Sequence, residues 1–254
     1  MRKLYIIILL ALFTSCVTQE KVSNAELIAH AGGAIEGNIY TNSLEALENA
    51  VARGYKYIEF DFIFTSDSVL VAAHSWSDFN KMTGLEERGD SAPSLSEFRM
   101  RRIHGRYTPM TAADVYEYFC CNDNLFLVVD KLSSPETLGK YFPGLKERMV
   151  VEAFSYNDYC ALVDEGYFRV LYSCVADDLS SALLKNLLFD KLFAGRRIEW
   201  VALHTSGLEN GFFEFLDKVR LFNIALFTVD DYSDIPAEYR YRAKMIYTNT
   251  LLPE

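Results

Sequence analysis

Short apolar runs separated by amphipathic stretches recur along the chain. Leu27 to Ala29, Tyr57 to Phe64, Leu125 to Val129, Met149 to Phe154, Phe168 to Ser173, Trp200 to Leu203, Ile224 to Val229 and Met245 to Tyr247 are rich in Val, Ile, Phe and Tyr. Runs of this length and make-up read as strands buried on both faces. Their alternation with helical patterns implies parallel pairing through βαβ units. Eight such units in 254 residues suit a closed (β/α)8 TIM barrel of the α/β class. An open doubly wound sheet is the alternative, and no Gly-rich dinucleotide loop supports it.

One run departs from this rhythm. Val69 to Ala73 follows the second strand after only four residues, too few for a crossover helix, so it must return antiparallel as a hairpin. The return folds His74 back towards the carboxylates of strand two. Residues 75–109 then form the longest irregular stretch, polar and carrying Arg88, Arg99, Arg101, Arg102 and Arg106. We expect a partly helical excursion over one end of the barrel, ahead of the third barrel strand. Thr111 with Asp114 three residues on predicts a capped helix start, and Asn42-Ser43 another.

The formal net charge of −10 argues against a nucleic-acid partner, which leaves a basic footprint. The chain opens with Arg2 and Lys3, then an apolar run from Leu4 to Phe13 too short to span a bilayer. Thr14-Ser15-Cys16 resembles the lipobox of bacterial lipoproteins, with Cys16 as the lipidated residue. An ordinary secretory signal cut nearby is the alternative. Residues 1–20 are therefore expected to be an export segment. Residues 21–254 are expected to form a single domain, exported and lipid-anchored in a bacterial cell envelope. Cys120, Cys121, Cys160 and Cys174 fit no zinc spacing and read as buried thiols, with a disulfide as the alternative.

Glu59 and Asp61 sit one residue apart within an apolar strand, so their side chains share a face. Two buried carboxylates on one face repel unless a cation compensates, and a hard divalent ion is the natural partner. The alternative is a pair at a solvated strand end. Asp130 ends the third barrel strand, where catalytic groups of such barrels sit, and is a candidate third ligand. Lys131 follows it and, in an extended chain, points to the opposite face; it reaches a ligand only if the strand is already turning. His30 ends strand one and His74 ends the hairpin return; facing the carboxylates, they suit a general base and general acid. His104 and His204 read as structural. Gly32-Gly33 permit a tight turn and close approach to a ligand.

Ile28-Ala29-His30 with Gly32, Asn42-Ser43-Leu44-Glu45-Ala46, Ile58-Glu59-Phe60-Asp61, Thr65-Ser66-Asp67 and Val71 to His74 together resemble the glycerophosphodiester phosphodiesterase signature. The family pattern reads roughly I-A-H-R-G, E-N-T-x-x-A, I-E-x-D, T-x-D-G and V-x-H-D. Asp130-Lys131, Ala153-Phe154-Ser155, Phe227 to Asp230 and Tyr247-Thr248-Asn249 resemble its later elements. The resemblance implies that His30 and His74 are the catalytic pair and that Glu59, Asp61 and Asp130 hold a divalent metal, Ca or Mg. Lys131, Gly32 and Asn42 would serve the phosphate. The implied substrate is a small-molecule or envelope-polymer phosphodiester with a hydroxyl beside the ester, hydrolysed to an alcohol and a phosphomonoester. A relative that stops at a cyclic phosphate and a non-catalytic ligand-binding lipoprotein are the alternatives. Departures are Ala31 for the arginine that contacts phosphate in the family, Thr41 for glutamate and Ser75 for aspartate. Lys131, an arginine of the excursion or Arg53 would have to replace the lost charge.

Overall fold

A computed structural model describes residues 25–174, 179–192, 196–206 and 220–253. The expected export segment with Cys16 lies outside the described residues. Eight parallel strands close a barrel: β1 (Glu26–Ala29), β2 (Tyr57–Phe64), β4 (Phe126–Asp130), β5 (Met149–Ala153), β6 (Val170–Cys174), β7 (Trp200–His204), β8 (Asn223–Phe227) and β9 (Ala243–Thr248). Each pairs with the next, and β1 closes the ring by pairing with both β2 and β9. The remaining strand, β3 (Leu70–Ala72), returns antiparallel on β2 with Phe62 opposite Ala72, as the four-residue gap required. Helices α1 (Leu44–Ala52), α4 (Ala112–Cys121), α5 (Pro135–Tyr141), α6 (Tyr156–Asp164) and α7 (Leu179–Leu192) connect the barrel strands. Among the described residues no helix is long and apolar enough to cross a membrane.

Strand parity sorts the apolar residues into two cores. Ile28, Val128, Val150, Leu171, Ala202, Ala225 and Met245 form a cluster inside the barrel. The other parity, including Ile58, Phe60, Phe62, Leu127, Val129, Val151 and Ile224, packs outward under the helices. Alternate side chains of a strand face opposite sides, so Glu59 and Asp61, two and four residues from Tyr57, must face inward with it.

The excursion is built as a small layer of its own. Helices α2 (Trp76–Met82) and α3 (Leu95–Met100) bury Phe79 and Phe98, stacked 4.7 Å apart, against Val71 and Ala73 of the hairpin arm. Asn80 is fully buried and bridges the loop, donating to the carbonyls of Gly89 (2.8 Å) and Ser91 (3.0 Å) and accepting from Arg101 (2.7 Å). At its far end Glu45 of α1 accepts from the Thr108 amide and hydroxyl at 2.7 and 2.8 Å. Helix starts follow the predicted caps: Ser43 accepts from the Ala46 amide, and Thr111 with Asp114 forms a reciprocal capping box. Against expectation, Cys120 and Cys121 are exposed free thiols, because the last turn of α4 rotates them away from the buried Val115–Phe119 face. Cys160 is free and half-buried.

Candidate active site

The site gathers at the C-terminal mouth of the barrel. Glu59 and Asp61 are each only 1 % exposed. Parallel register places Asp61 of β2 beside Asp130 of β4, so the acids converge from two neighbouring strands. One carboxylate oxygen from each of Glu59, Asp61 and Asp130 lies within 4.8 Å of the others. Glu59 Oε2 accepts from the Ala31 amide at 2.5 Å, while its buried Oε1 has no hydrogen-bond partner. Asp61 accepts from Asn42 Nδ2 at 3.0 Å and from Lys131 Nζ at 3.2 Å.

This cluster is electrostatically incomplete. Burial, reinforced by the charges of Asp61 and Asp130, drives the Glu59 carboxyl well above the usual range. Burial, Glu152 and Asp61 push Asp130 up to about 8, against the opposing charge of Lys131. A single lysine cannot balance three convergent acids. An orphaned carboxylate oxygen facing two more carboxylates is a donor set that fits a hard divalent cation.

Both histidines reach the same mouth. His30 heads a short 3-10 turn, His30–Gly32, in which Ala31 takes φ 49° and Gly32 φ 82°. That turn aims the Ala31 amide at Glu59, so Ala31 contributes its backbone where the family signature has a side chain. The hairpin delivers His74: the Ala73 amide donates to the Asp61 carbonyl at 2.9 Å, locking the residue before His74 to strand two. The Tyr40 ring stands between the imidazoles, its centroid 4.6 Å from His30 and 5.1 Å from His74. Burial lowers the His30 pKa; Asp61 opposes the shift, as does the Asn249 side chain, while His74 adds to it. Burial thus favours the uncharged imidazole. His74 Nδ1 lies 2.6 Å from Asp78 Oδ2.

Lys131 takes φ 62°, a left-handed conformation that a non-glycine residue adopts only under constraint. The turn swings its side chain from the outer face into the mouth, where Nζ donates to the His74 carbonyl as well as pairing with Asp61. Two proposed phosphate contacts are placed otherwise. Asn42 is fully buried and spends both ends of its amide on Asp61, donating to the carboxylate and accepting from the Asp61 amide at 3.1 Å. It therefore acts through Asp61. Gly32 is buried against α1, where an added Cβ would lie 3.4 Å from Ala46 Cβ. Thr41, also buried, bonds to Ser43 at 2.9 Å.

The arginines offered as substitutes are committed elsewhere. Arg88 pairs with Glu97, Arg99 with Asp114 and Arg106 with Glu36. Arg101 lies over Phe79, Arg102 donates to the Arg99 and Arg101 carbonyls, and Arg53 reaches the Thr250 carbonyl. Lys131 is the candidate that enters the acidic cluster. His204, at the end of β7, is exposed and bonds to Ser206 at 2.8 Å; His104 is exposed in the excursion.

Four residues at the mouth were missed in the sequence. Glu152 of β5 is 5 % exposed and accepts across the barrel from the Tyr247 hydroxyl of β9 at 2.5 Å. Burial, moderated by Tyr247 and Ser173, moves its carboxyl up to about 6. A lone acid two residues after the inward Val150 carries the same parity signal as Glu59. Tyr40 and Asp78 left no comparable mark, since their partners come from distant or helical segments. Asp230 joins two motifs: it accepts from the Asn249 amide (2.6 Å), the Asn249 side chain (2.8 Å) and Thr248 (3.1 Å). Those bonds overcome its burial and hold it below the ordinary aspartate pKa. A cleft of about 470 Å³ opens from Tyr40, His74 and Asp78 towards Lys81, Met82 and His104.

Residues 32–150 match the model of the Glycerophosphoryl diester phosphodiesterase family. A search of curated proteins found no match. Among solved structures, a glycerophosphodiester phosphodiesterase from Parabacteroides distasonis is 20 % identical with a TM-score of 0.61, over 89 % of this chain and 93 % of that one. A putative glycerophosphoryl diester phosphodiesterase from Agrobacterium tumefaciens is 16 % identical with a TM-score of 0.65, over 89 % and 94 %. A phosphodiesterase from Oleispira antarctica, solved with its product sn-glycerol-3-phosphate, is 19 % identical with a TM-score of 0.60, over 88 % and 92 %. These structures share the fold of this chain, a closed (β/α)8 barrel. The matched stretch, residues 32–150, carries Glu59, Asp61, His74 and Asp130.

Proposed function

We propose that the protein is a divalent-metal-dependent phosphodiesterase that hydrolyses glycerophosphodiesters to an alcohol and a phosphomonoester. The observation that carries this reading is the convergence of three carboxylates, one with an orphaned buried oxygen, on a mouth flanked by His30 and His74. Glu59, Asp61 and Asp130 would hold Ca or Mg, which when bound neutralises charge on the phosphoryl oxygens. The chain's own residues do the rest. His30, whose burial favours the uncharged form, takes a proton from the substrate hydroxyl beside the ester as that oxygen attacks phosphorus. His74, at the head of the cleft, gives a proton to the departing alcohol, which leaves a cyclic phosphate. Water then attacks the same phosphorus and opens the ring. One imidazole takes the water proton and the other protonates the released hydroxyl, to give the phosphomonoester. Lys131 supplies positive charge where the family's arginine is missing.

Protein stripped by chelator and reloaded with Ca or Mg should release alcohol from at least one member of a glycerophosphodiester panel. His30→Ala should lower kcat/KM roughly 10²- to 10⁴-fold. No alcohol from any diester with either metal would remove this substrate class. Phosphorus NMR of the product distinguishes full hydrolysis from a halt at the cyclic phosphate.

We also propose that the enzyme works at the outside of a membrane, held by a lipid on Cys16, on the strength of Arg2-Lys3, the apolar run and Thr14-Ser15-Cys16. Cys16→Ala should move the protein from the membrane to the soluble fraction, and an unchanged distribution would refute the anchor.

A further inference from the structure

Within the proposed phosphodiesterase reading, the excursion brings more than a cover to the site. Ser75 stands where the family signature has aspartate, directly after His74. No carboxylate follows the histidine in sequence, yet one meets it in space. Asp78 lies one helical turn on, at the start of α2, and its Oδ2 is 2.6 Å from His74 Nδ1. The same Oδ2 accepts from the Ser75 hydroxyl at 2.6 Å. Ser75 Oγ in turn accepts from the Asp78 amide at 3.0 Å, as the N-cap of the helix. Cap, carboxylate and imidazole thus form one closed set of bonds, seated on the Phe79–Phe98 layer.

We propose that Asp78 is a positioning residue for His74, fixing the imidazole so that Nδ1 carries a proton and Nε2 is the nitrogen that works on substrate. An ionised carboxylate can only accept hydrogen bonds, so a 2.6 Å contact requires the proton on Nδ1. The Ser75 hydroxyl, followed by His74 itself, holds Asp78 below its ordinary pKa and keeps it ionised. The other charged and titratable groups around the ring are His30 at the end of β1, Tyr40 before α1, Lys131 after β4, Asp61 of β2, and Lys81 and His104 along the cleft. Among the described residues Asp78 is the group that hydrogen-bonds the His74 ring, so the orientation falls to it.

Both side chains are partly open to water, 39 % for His74 and 47 % for Asp78, so the pair orients more than it stabilises the fold. Asp78→Asn should therefore fold normally. Its kcat should fall about 10- to 100-fold with KM within about twofold, since an amide cannot fix the imidazole tautomer in the same way. Asp78→Glu, which keeps the carboxylate, should recover part of the loss. Nitrogen NMR of the imidazoles provides a readout independent of turnover. Wild-type His74 should be protonated at Nδ1 when neutral, and Asp78→Asn should lose that preference. A wild-type ring protonated at Nε2, an Asp78→Asn enzyme with unchanged kcat, or equal losses in the Asn and Glu variants would overturn the proposal. Should the wild type cleave no diester, the phosphodiesterase reading fails, while the ring-nitrogen spectra still decide whether Asp78 sets the tautomer.

Discussion

Ala31 and Lys131 illustrate how one residue's conformation can redirect the chemistry of a mouth. Ala31 has no side chain to offer a phosphate, but at φ 49° its amide secures Glu59. Lys131, at φ 62°, turns its ammonium into the acidic cluster. Alternation along an extended strand predicted the opposite direction for Lys131, and a local pattern has no means of announcing a left-handed turn at the residue after a strand. Lys131→Met should raise KM about tenfold or more, as a charged contact to phosphate is worth roughly 1.5–3 kcal/mol; unchanged KM in steady-state kinetics would exclude it from phosphate binding. Restoring the family's arginine should not help. Ala31 is fully buried, so Ala31→Arg should lower stability by about 1–3 kcal/mol in a urea titration.

At the scale of elements, strand two carries the clearest conflict between stability and function. Its outward Phe60 and Phe62 are buried and bind the helices, while its inward Glu59 and Asp61 repel each other. Glu59→Gln should make the metal-free protein melt at a higher temperature than wild type, by an amount worth about 1 kcal/mol or more, and should abolish the rise in Tm on adding Ca or Mg. The pH dependence has a fixed sign. Asp130 is raised to about 8, so the stability its protonation contributes is complete below the ordinary carboxylate range and lost as pH rises through about 8. The metal-free protein should therefore melt lower at pH 9 than at pH 6, and the cation should add more at pH 9. Thermal scans with and without chelator check both statements. The excursion is a second element with a separable role: Phe79→Ala should loosen α2 and reduce kcat while leaving cation binding, measured by calorimetry, within about twofold.

Across the whole molecule, the barrel was legible because its period is simple. Eight apolar runs, one gap too short for a helix and a pair of acids at i and i+2 sufficed to place the hairpin, the mouth and Glu59 with Asp61. What stayed hidden depends on distances that sequence does not encode. Glu152 and Tyr247 meet from opposite walls, Tyr40 enters from a loop, and Asp78 reaches His74 only because α2 begins where it does. Cys120 and Cys121 were misread because an apolar helix end was taken as buried. Asn42 looked like a ligand contact for a related reason: a polar residue in a motif is ambiguous between touching the substrate and holding the residue that does.

Three carboxylates converge beneath two histidines, and the proposed reaction requires a cation among them. The most direct measurement is release of alcohol from a glycerophosphodiester by chelator-stripped protein, followed as Ca or Mg is returned. Activity should be absent without metal, return in a saturable way on its addition, and fail to return in Asp61→Asn. Full activity in the presence of chelator, or a cation response that survives in Asp61→Asn, would contradict it.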